Sequence, residues 1–141
     1  MKKMLKVLGI IVVILVVAMF VTPFFTKNTT GMSKAGMFSY VADMANPFVK
    51  VEDVYGKLPE KPSESWKDAA NGGTDYGYKV ETVSGSGEER SVQLTSFGSE
   101  LNVDDSVLKI SIKGQYVRKY EVISKENVPK SVLEKLGGNN E

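Results

Sequence analysis

Hydrophobic positions divide the chain into two parts with different periodicities. Residues 7–25 carry no charge, and only Gly9, Thr22 and Pro23 interrupt the apolar run. As a helix this run would be about 28 Å long, close to the ~30 Å hydrocarbon core of a bilayer. Beyond residue 47, apolar and polar residues alternate with a period of two, which is typical of half-buried strands. The pattern therefore predicts an apolar N-terminal helix followed by a small β domain.

Three interpretations of the apolar helix were compared. A helix buried in a core would normally show a polar face, and none is visible here. The hydrophobic core of a cleaved signal peptide is usually about 7–15 residues and precedes an A-x-A site, which is lacking here. We therefore favour a transmembrane signal-anchor. Because Lys2, Lys3 and Lys6 precede it, the positive-inside rule places the N-terminus in the cytoplasm and residues 27 onward outside. Cleavage would instead yield a secreted protein.

The juxtamembrane segment, residues 27–46, contains a second apolar pattern. Ser33 can cap a short helix that Asn46 and Pro47 would end. An apolar stripe at helical spacing follows the cap and consists of Met37, Phe38, Val41, Met44 and Ala45. This stripe could pack on the core of the domain, or it could lie along the membrane or grip a partner. We favour packing on the core, because the segment has no polybasic face.

Five segments after residue 47 alternate like strands. They read "FVKVEDV", "YGYKVETV", "SVQLTSF", "SVLKISIK" and "YVRKYEVI", and Arg118 interrupts the alternation of the last one. A Ser-Gly-Ser-Gly hairpin joins the second strand to the third, and Gly114-Gln115 gives the two-residue turn between the last two. This pattern predicts antiparallel pairing and a small five-stranded barrel that resembles an oligonucleotide/oligosaccharide-binding (OB) fold.

The remaining segments complete the predicted organisation. A long Pro/Gly/Ser-rich loop, "GKLPEKPSESWKDAANGGTD", connects the first two strands, and loops of this length are often functional or mobile. A short C-terminal helix follows Pro129, with a buried stripe of Val132, Leu133 and Leu136. We predict a cytoplasmic end and anchor at 1–26, the juxtamembrane segment at 27–46, the barrel at 47–137 and a frayed tail at 138–141.

Composition excludes several classes of site. The 141 residues include no cysteine and no histidine, so disulfides, thiol chemistry, Cys/His zinc sites and a Ser-His-Asp triad are excluded. After the N-terminal lysines, basic and acidic residues are interspersed, without the basic stripe that nucleic-acid binding requires. We therefore expect no metal, no cofactor, no nucleic-acid partner and no catalysis.

The order of these motifs resembles a known family. The "FVKV" strand, the "YGYKVETVSGSGEERSVQLTSF" hairpin and the closing "VLKISIKGQYVRKYEVISKENVPKSVLEKL" are similar to the YxeA-like family of small secreted or membrane-anchored proteins in Gram-positive bacteria. The resemblance covers roughly residues 47–136 and implies an extracellular OB-like barrel. The family is a domain of unknown function, so the resemblance implies no activity and no site residues.

The candidate contact residues are aromatic. Tyr76, Tyr78, Tyr116 and Tyr120 could form a platform for a sugar or peptide, although strand tyrosines more often pack a barrel. Trp66, in the long loop, could anchor a partner or pin the loop to the barrel. These residues lead to the hypothesis of a membrane-anchored extracytoplasmic module that binds an envelope protein or a cell-wall ligand.

Two other functions compete with the binding module. One is a small accessory subunit of a membrane complex, with the span itself as the interface. The other is a cell-wall hydrolase that would use carboxylates such as Asp104 or Glu121. We rank both below the binding module, because the span has few small residues for helix packing and the carboxylates show no site-like spacing.

Overall fold

A computed structural model describes residues 1–102 and 106–138 of the protein. Three α-helices and six strands account for most of the described chain. The helices are α1 (Lys2–Thr26), α2 (Lys34–Ala45) and α3 (Lys130–Gly138). The strands are β1 (Val51–Gly56), β2 (Glu64–Lys67), β3 (Thr74–Ser84), β4 (Glu89–Ser96), β5 (Val107–Lys113) and β6 (Tyr116–Ile123). The predicted tail at 138–141 falls, beyond Gly138, outside the described residues.

The strands form one antiparallel sheet that curls into a half-barrel. The five predicted strands are present in the order β4-β3-β1-β5-β6, which confirms the mainly β, OB-like fold class. β2 is a sixth strand that the sequence did not predict. It lies inside the long loop and pairs with the first residues of β3. Among the described residues no ladder joins β4 to β6, so the curl stays open between these two strands.

The core has two clusters of buried side chains. The larger one fills the half-barrel, and its members are Val54, Tyr78, Val80, Val92, Leu94, Leu108, Ile110 and Ile112. The smaller one lies under α3, where Val132 and Leu136 are buried and Leu133 is half-buried, as predicted. The first strand begins later than predicted, so Val54 is its buried valine and Val51 is exposed.

A proline near the end of α1 determines how this helix meets the domain. Pro23 has no N–H, so the carbonyl of Met19 loses its usual i→i+4 donor within the helix. Asn46, at the end of α2, supplies the replacement, since its Nδ2 donates to Met19 O at 2.6 Å. Beside this bond the rings of Phe20 and Phe48 stack with centroids 4.2 Å apart. The domain therefore contacts α1 over its last two turns.

A buried carboxylate forms a second joint between α1 and the domain. Asp43 on α2 is fully buried, and its Oδ1 accepts from Thr26 Oγ1 at 3.0 Å. Its Oδ2 accepts from the backbone N–H of Gln115, in the β5–β6 turn, at 2.7 Å. Gly114 precedes Gln115 with φ +60°, and a Cβ there would collide with the Asp43 carboxylate. One side chain thus ties together α1, α2 and a hairpin turn.

Helix α2 forms as predicted, but it faces the opposite way. The Ser33 hydroxyl accepts from the N–H of Gly36 at 3.1 Å, which is the predicted N-cap. The expectation that the apolar stripe packs on the core is wrong: Met37, Phe38, Val41 and Met44 are all exposed. The buried positions are Gly36, Ser39 and Asp43. Hydrogen bonds of Asp43 and the close approach that Gly36 allows to Gly31 set this orientation.

Candidate functional site

The opening of the half-barrel holds a cleft of about 720 Å³. β4 and β6 form its two sides, and α2 with the segment 29–32 forms one end. The apolar lining consists of Met32, Met37, Tyr40, Val41, Leu94, Phe97, Val117 and Tyr120. The polar lining includes Gln93, Gln115 and two cations, Arg118 and Lys119. This size and this mixture of apolar walls with few polar groups are typical of a ligand site.

A β-bulge places the two cations on the cleft. Ile112 pairs with Val117 and Ser111 pairs with Lys119, which leaves Arg118 as the extra residue on β6. Both cationic side chains are exposed at the rim, whereas the described lining contains no carboxylate. The cleft therefore combines an apolar floor with a positive edge.

Two tyrosines join α2 to β6 at one end of the cleft. The rings of Tyr40 and Tyr116 meet edge to face, with centroids 4.9 Å apart at 81°. Burial, and after it the neighbouring Tyr116 hydroxyl, raises the pKa of Tyr40 above its ordinary value. The Tyr40 phenol thus stays neutral at physiological pH, and it can donate or accept a hydrogen bond.

The structure does not bring the four predicted tyrosines together on one platform. Tyr78 is 1% exposed and belongs to the core, where its hydroxyl accepts from the N–H of Leu101 at 2.9 Å. Tyr76 is half-buried against the same core cluster. Tyr120 lines the cleft. Tyr116 is not part of the described lining, but its ring contacts Tyr40, which is. A regular strand would have placed Tyr116 and Tyr120 on the same face. The bulge at Arg118 lies between them and interrupts that alternation.

The other predicted residues lie away from the cleft or outside the described residues. Trp66 sits on β2 opposite Asp75, half-buried, with its ring over Gly77. Glu121 is exposed on β6, 3.8 Å from Lys109 Nζ, while the nearer Asp53 raises the pKa of that lysine. Asp104 lies outside the described residues. Within the described part of the chain, no cluster of three potential metal ligands occurs.

Sequence reasoning singled out Tyr120 and the α2 residues Met37 and Val41, but it missed the other residues that build the cleft. Phe97, Arg118 and the cleft-facing side of α2 come from three distant parts of the chain, so no local spacing links them. One signal was present, since Arg118 interrupted the alternation of the last strand and marked the bulge.

Comparison with known proteins gives the chain its family. The model described as protein of unknown function (DUF1093) matches residues 47–126. A Bacillus subtilis (strain 168) protein described as uncharacterized protein YxeA is 32% identical over 96 residues, covering 68% of this chain and 76% of the relative.

Two solved structures are also similar. One is the crystal structure of a DUF1093 family protein from Bacillus subtilis, 32% identical with TM-score 0.45, covering 64% of this chain and 95% of that one. The other is the solution structure of a membrane associated protein from Bacillus cereus, 21% identical with TM-score 0.48, covering 64% and 88%. The family match over more than half of the chain confirms the YxeA-like resemblance, and the protein belongs to the DUF1093 family of proteins of unknown function.

Proposed function

We propose that this protein is a membrane-anchored, extracytoplasmic and non-enzymatic binding module whose cleft takes an extended peptide segment of an envelope protein. The observation that carries the proposal is the open seam of the half-barrel. β4 is paired only with β3, and β6 only with β5, in the part of the sheet that the structure describes. Two strand edges therefore face one cleft, and an extended peptide can add to such an edge by main-chain hydrogen bonding.

The lining supports a peptide with alternating apolar and acidic side chains. Leu94 and Val117 offer apolar contacts at the floor, and Phe97 and Tyr120 offer them near the rim. Arg118 can bind a carboxylate with two parallel hydrogen bonds, a geometry that its planar guanidinium favours. Because the described lining has no carboxylate, an acidic peptide meets no like charge there that would repel it.

The anchor supports the membrane part of the proposal. α1 is the one described helix long and apolar enough to cross a membrane, with mean hydropathy 3.0 over its most apolar window. Cleavage after this helix would remove the partners of Asn46 and Asp43, namely Met19 O and Thr26 Oγ1. Retention of the helix keeps both hydrogen bonds, which favours an anchor over a cleaved signal.

Site-specific photo-crosslinking in intact cells tests the proposal. A photoreactive benzoyl-phenylalanine replaces Tyr120 in the cleft, Phe97 on the opposite edge, or Val122, which is exposed on β6 but outside the lining. We expect the same peptide adduct from positions 120 and 97 and none from 122, identified by mass spectrometry of the digested product.

Charge reversal supplies the matched control. Arg118→Glu with Lys119→Glu is expected to reduce the adduct severalfold, whereas Lys61→Glu with Lys67→Glu makes the same charge change at exposed positions outside the cleft and should leave it unchanged. A lipid adduct, equal labelling from position 122, or no adduct from either edge would overturn the peptide proposal.

The two competing functions have their own tests. Replacing residues 7–18 of α1 with an unrelated apolar sequence would abolish co-purification of a complex if the span were the interface. Turnover of peptidoglycan fragments by the full chain, lost on Glu121→Gln, would establish a hydrolase.

A further inference from the structure

The end of α2 lies beside the outer turns of α1. Asp43 bonds Thr26, the last residue of α1, whereas Asn46, three residues later, bonds Met19, almost two turns deeper in that helix. Phe48 stays at the level that Asn46 reaches and stacks on Phe20. The chain thus descends along α1 toward its apolar middle before it turns into β1.

Simple geometry gives the depth of this corner in a bilayer. Met19 lies six residues before Phe25, about 9 Å along the helix axis. If residues 7–25 fill the ~30 Å hydrocarbon core, the corner from Met44 to Phe48 lies inside its outer edge. If α1 instead shifts outward until Met19 leaves the core, residues 7–18 span only about 18 Å, and mismatch of this kind carries a cost for every ångström.

The side chains around the corner suit the arrangement in which residues 7–25 fill the hydrocarbon core. Phe24 and Phe25 on α1 are 84% and 77% exposed, and Met44 and Phe48 are also exposed. The amide of Asn46 at this level is already paired: Asn46 is buried and bonded to Met19 O, and its Oδ1 accepts from Phe48 N at 3.0 Å. Lys113 Nζ donates to Met44 O at 2.7 Å, so its ammonium is hydrogen-bonded at the corner.

We infer that Met44 and Phe48, here called the membrane foot, insert beside Phe24 and Phe25 of α1 among the acyl chains of the outer leaflet of the bilayer that α1 crosses. The inference rests on the proposed anchoring by α1. It adds that the domain itself contacts the lipid acyl chains and is not only tethered to the membrane by α1. The foot is continuous with α1, so the lipid that surrounds the anchor also covers the foot.

Fluorescence quenching of the full chain in vesicles tests the foot. The protein has one tryptophan, Trp66, which lies near the opposite end of α2, because its neighbour Glu64 accepts from Met32 N at 2.9 Å. Trp66→Phe is combined with Phe48→Trp, and vesicles contain phosphatidylcholine with or without bromine on the acyl chains. We expect blue-shifted emission and quenching severalfold stronger than for native Trp66.

Two further variants separate the possible failures. Phe24→Trp in the same background reports on the anchor alone, and Met44→Trp repeats the foot measurement if Phe48→Trp fails to fold. Quenching of Phe24→Trp without quenching of either foot variant would overturn the foot but leave the anchor. No quenching of Phe24→Trp would overturn the anchor itself. Equal quenching of native Trp66 and the foot variants would also overturn the foot, since the whole domain would then contact lipid.

Discussion

Removing the Asp43 carboxylate is expected to destabilise the domain more than removing any exposed acid. Asp43→Ala breaks the bonds to Thr26 Oγ1 and Gln115 N, at 3.0 and 2.7 Å, in a fully buried site. Thr26 can still donate to Pro23 O at 3.3 Å, but the Gln115 N–H loses its acceptor. Hydrogen bonds to charged groups contribute about 1.5–3 kcal/mol each, and an orphaned buried donor costs about 1–3 kcal/mol.

The magnitude follows from these contributions. Because burying the carboxylate itself costs free energy, the net loss is smaller than the sum, and we expect about 2–4 kcal/mol from Asp43→Ala. That is a large fraction of the ~5–15 kcal/mol typical of a domain. Asp43→Asn should lose less, about 1–2 kcal/mol, because the amide oxygen can accept from Gln115 N and the amide N–H can donate to Thr26 Oγ1.

Urea unfolding of the full chain in detergent micelles, followed by Trp66 fluorescence and far-UV circular dichroism, measures these differences. Asp53→Ala is the matched control, since Asp53 is half exposed and pairs with Lys109 across 3.5 Å at the surface. Its free energy of unfolding should barely change, as exposed pairs are screened by water. If Asp43→Ala were no more destabilising than Asp53→Ala, the joint between anchor, helix and turn would not stabilise the domain as argued here.

Two further predictions use the same unfolding assay. Gly114→Ala and Gly72→Ala both place a side chain at positive φ, but only at Gly114 does the new Cβ meet Asp43. Gly114→Ala should therefore lower the free energy of unfolding by ~1–3 kcal/mol more than Gly72→Ala does. Equal losses from the two variants would contradict the contact with Asp43. The hydrogen bond from Lys27 lowers the pKa of Glu88 below its ordinary 4.5, so Glu88→Gln should slightly destabilise the protein near neutral pH. The difference in unfolding free energy between the variant and wild type should vanish as pH falls through the depressed pKa. A difference that persists or grows in acid would contradict the Lys27–Glu88 pair.

Local patterns predicted the sheet because its signals are local. Alternation identified β3, β5 and β6, and Gly114 marked the turn between β5 and β6 through its need for positive φ. β2 escaped because its four residues show no alternation and depend on the register that β3 offers.

The orientation of α2 could not be predicted from its own periodicity. Its apolar stripe is real, but the domain needs Asp43 on the inner side to accept from Gln115 and Thr26, which lie far away in sequence. An apolar stripe identifies a face that avoids water, and it does not identify what covers that face. With the membrane anchoring proposed above, lipid is a second possible cover beside the protein core.

The cleft and the anchor joint share one residue, which decides how binding variants must be interpreted. Gln115 lines the cleft, while its N–H bonds Asp43 and its Nε2 donates to Ser91 O at 2.9 Å on β4. Its Oε1 accepts from Arg90 Nη1 at 3.0 Å, so the same side chain holds the β6 turn against the opposite edge. A change at Asp43 therefore alters the spacing of the two edges without touching a ligand. Loss of binding reports a direct contact only for residues such as Arg118, which face the cleft and take no part in this joint.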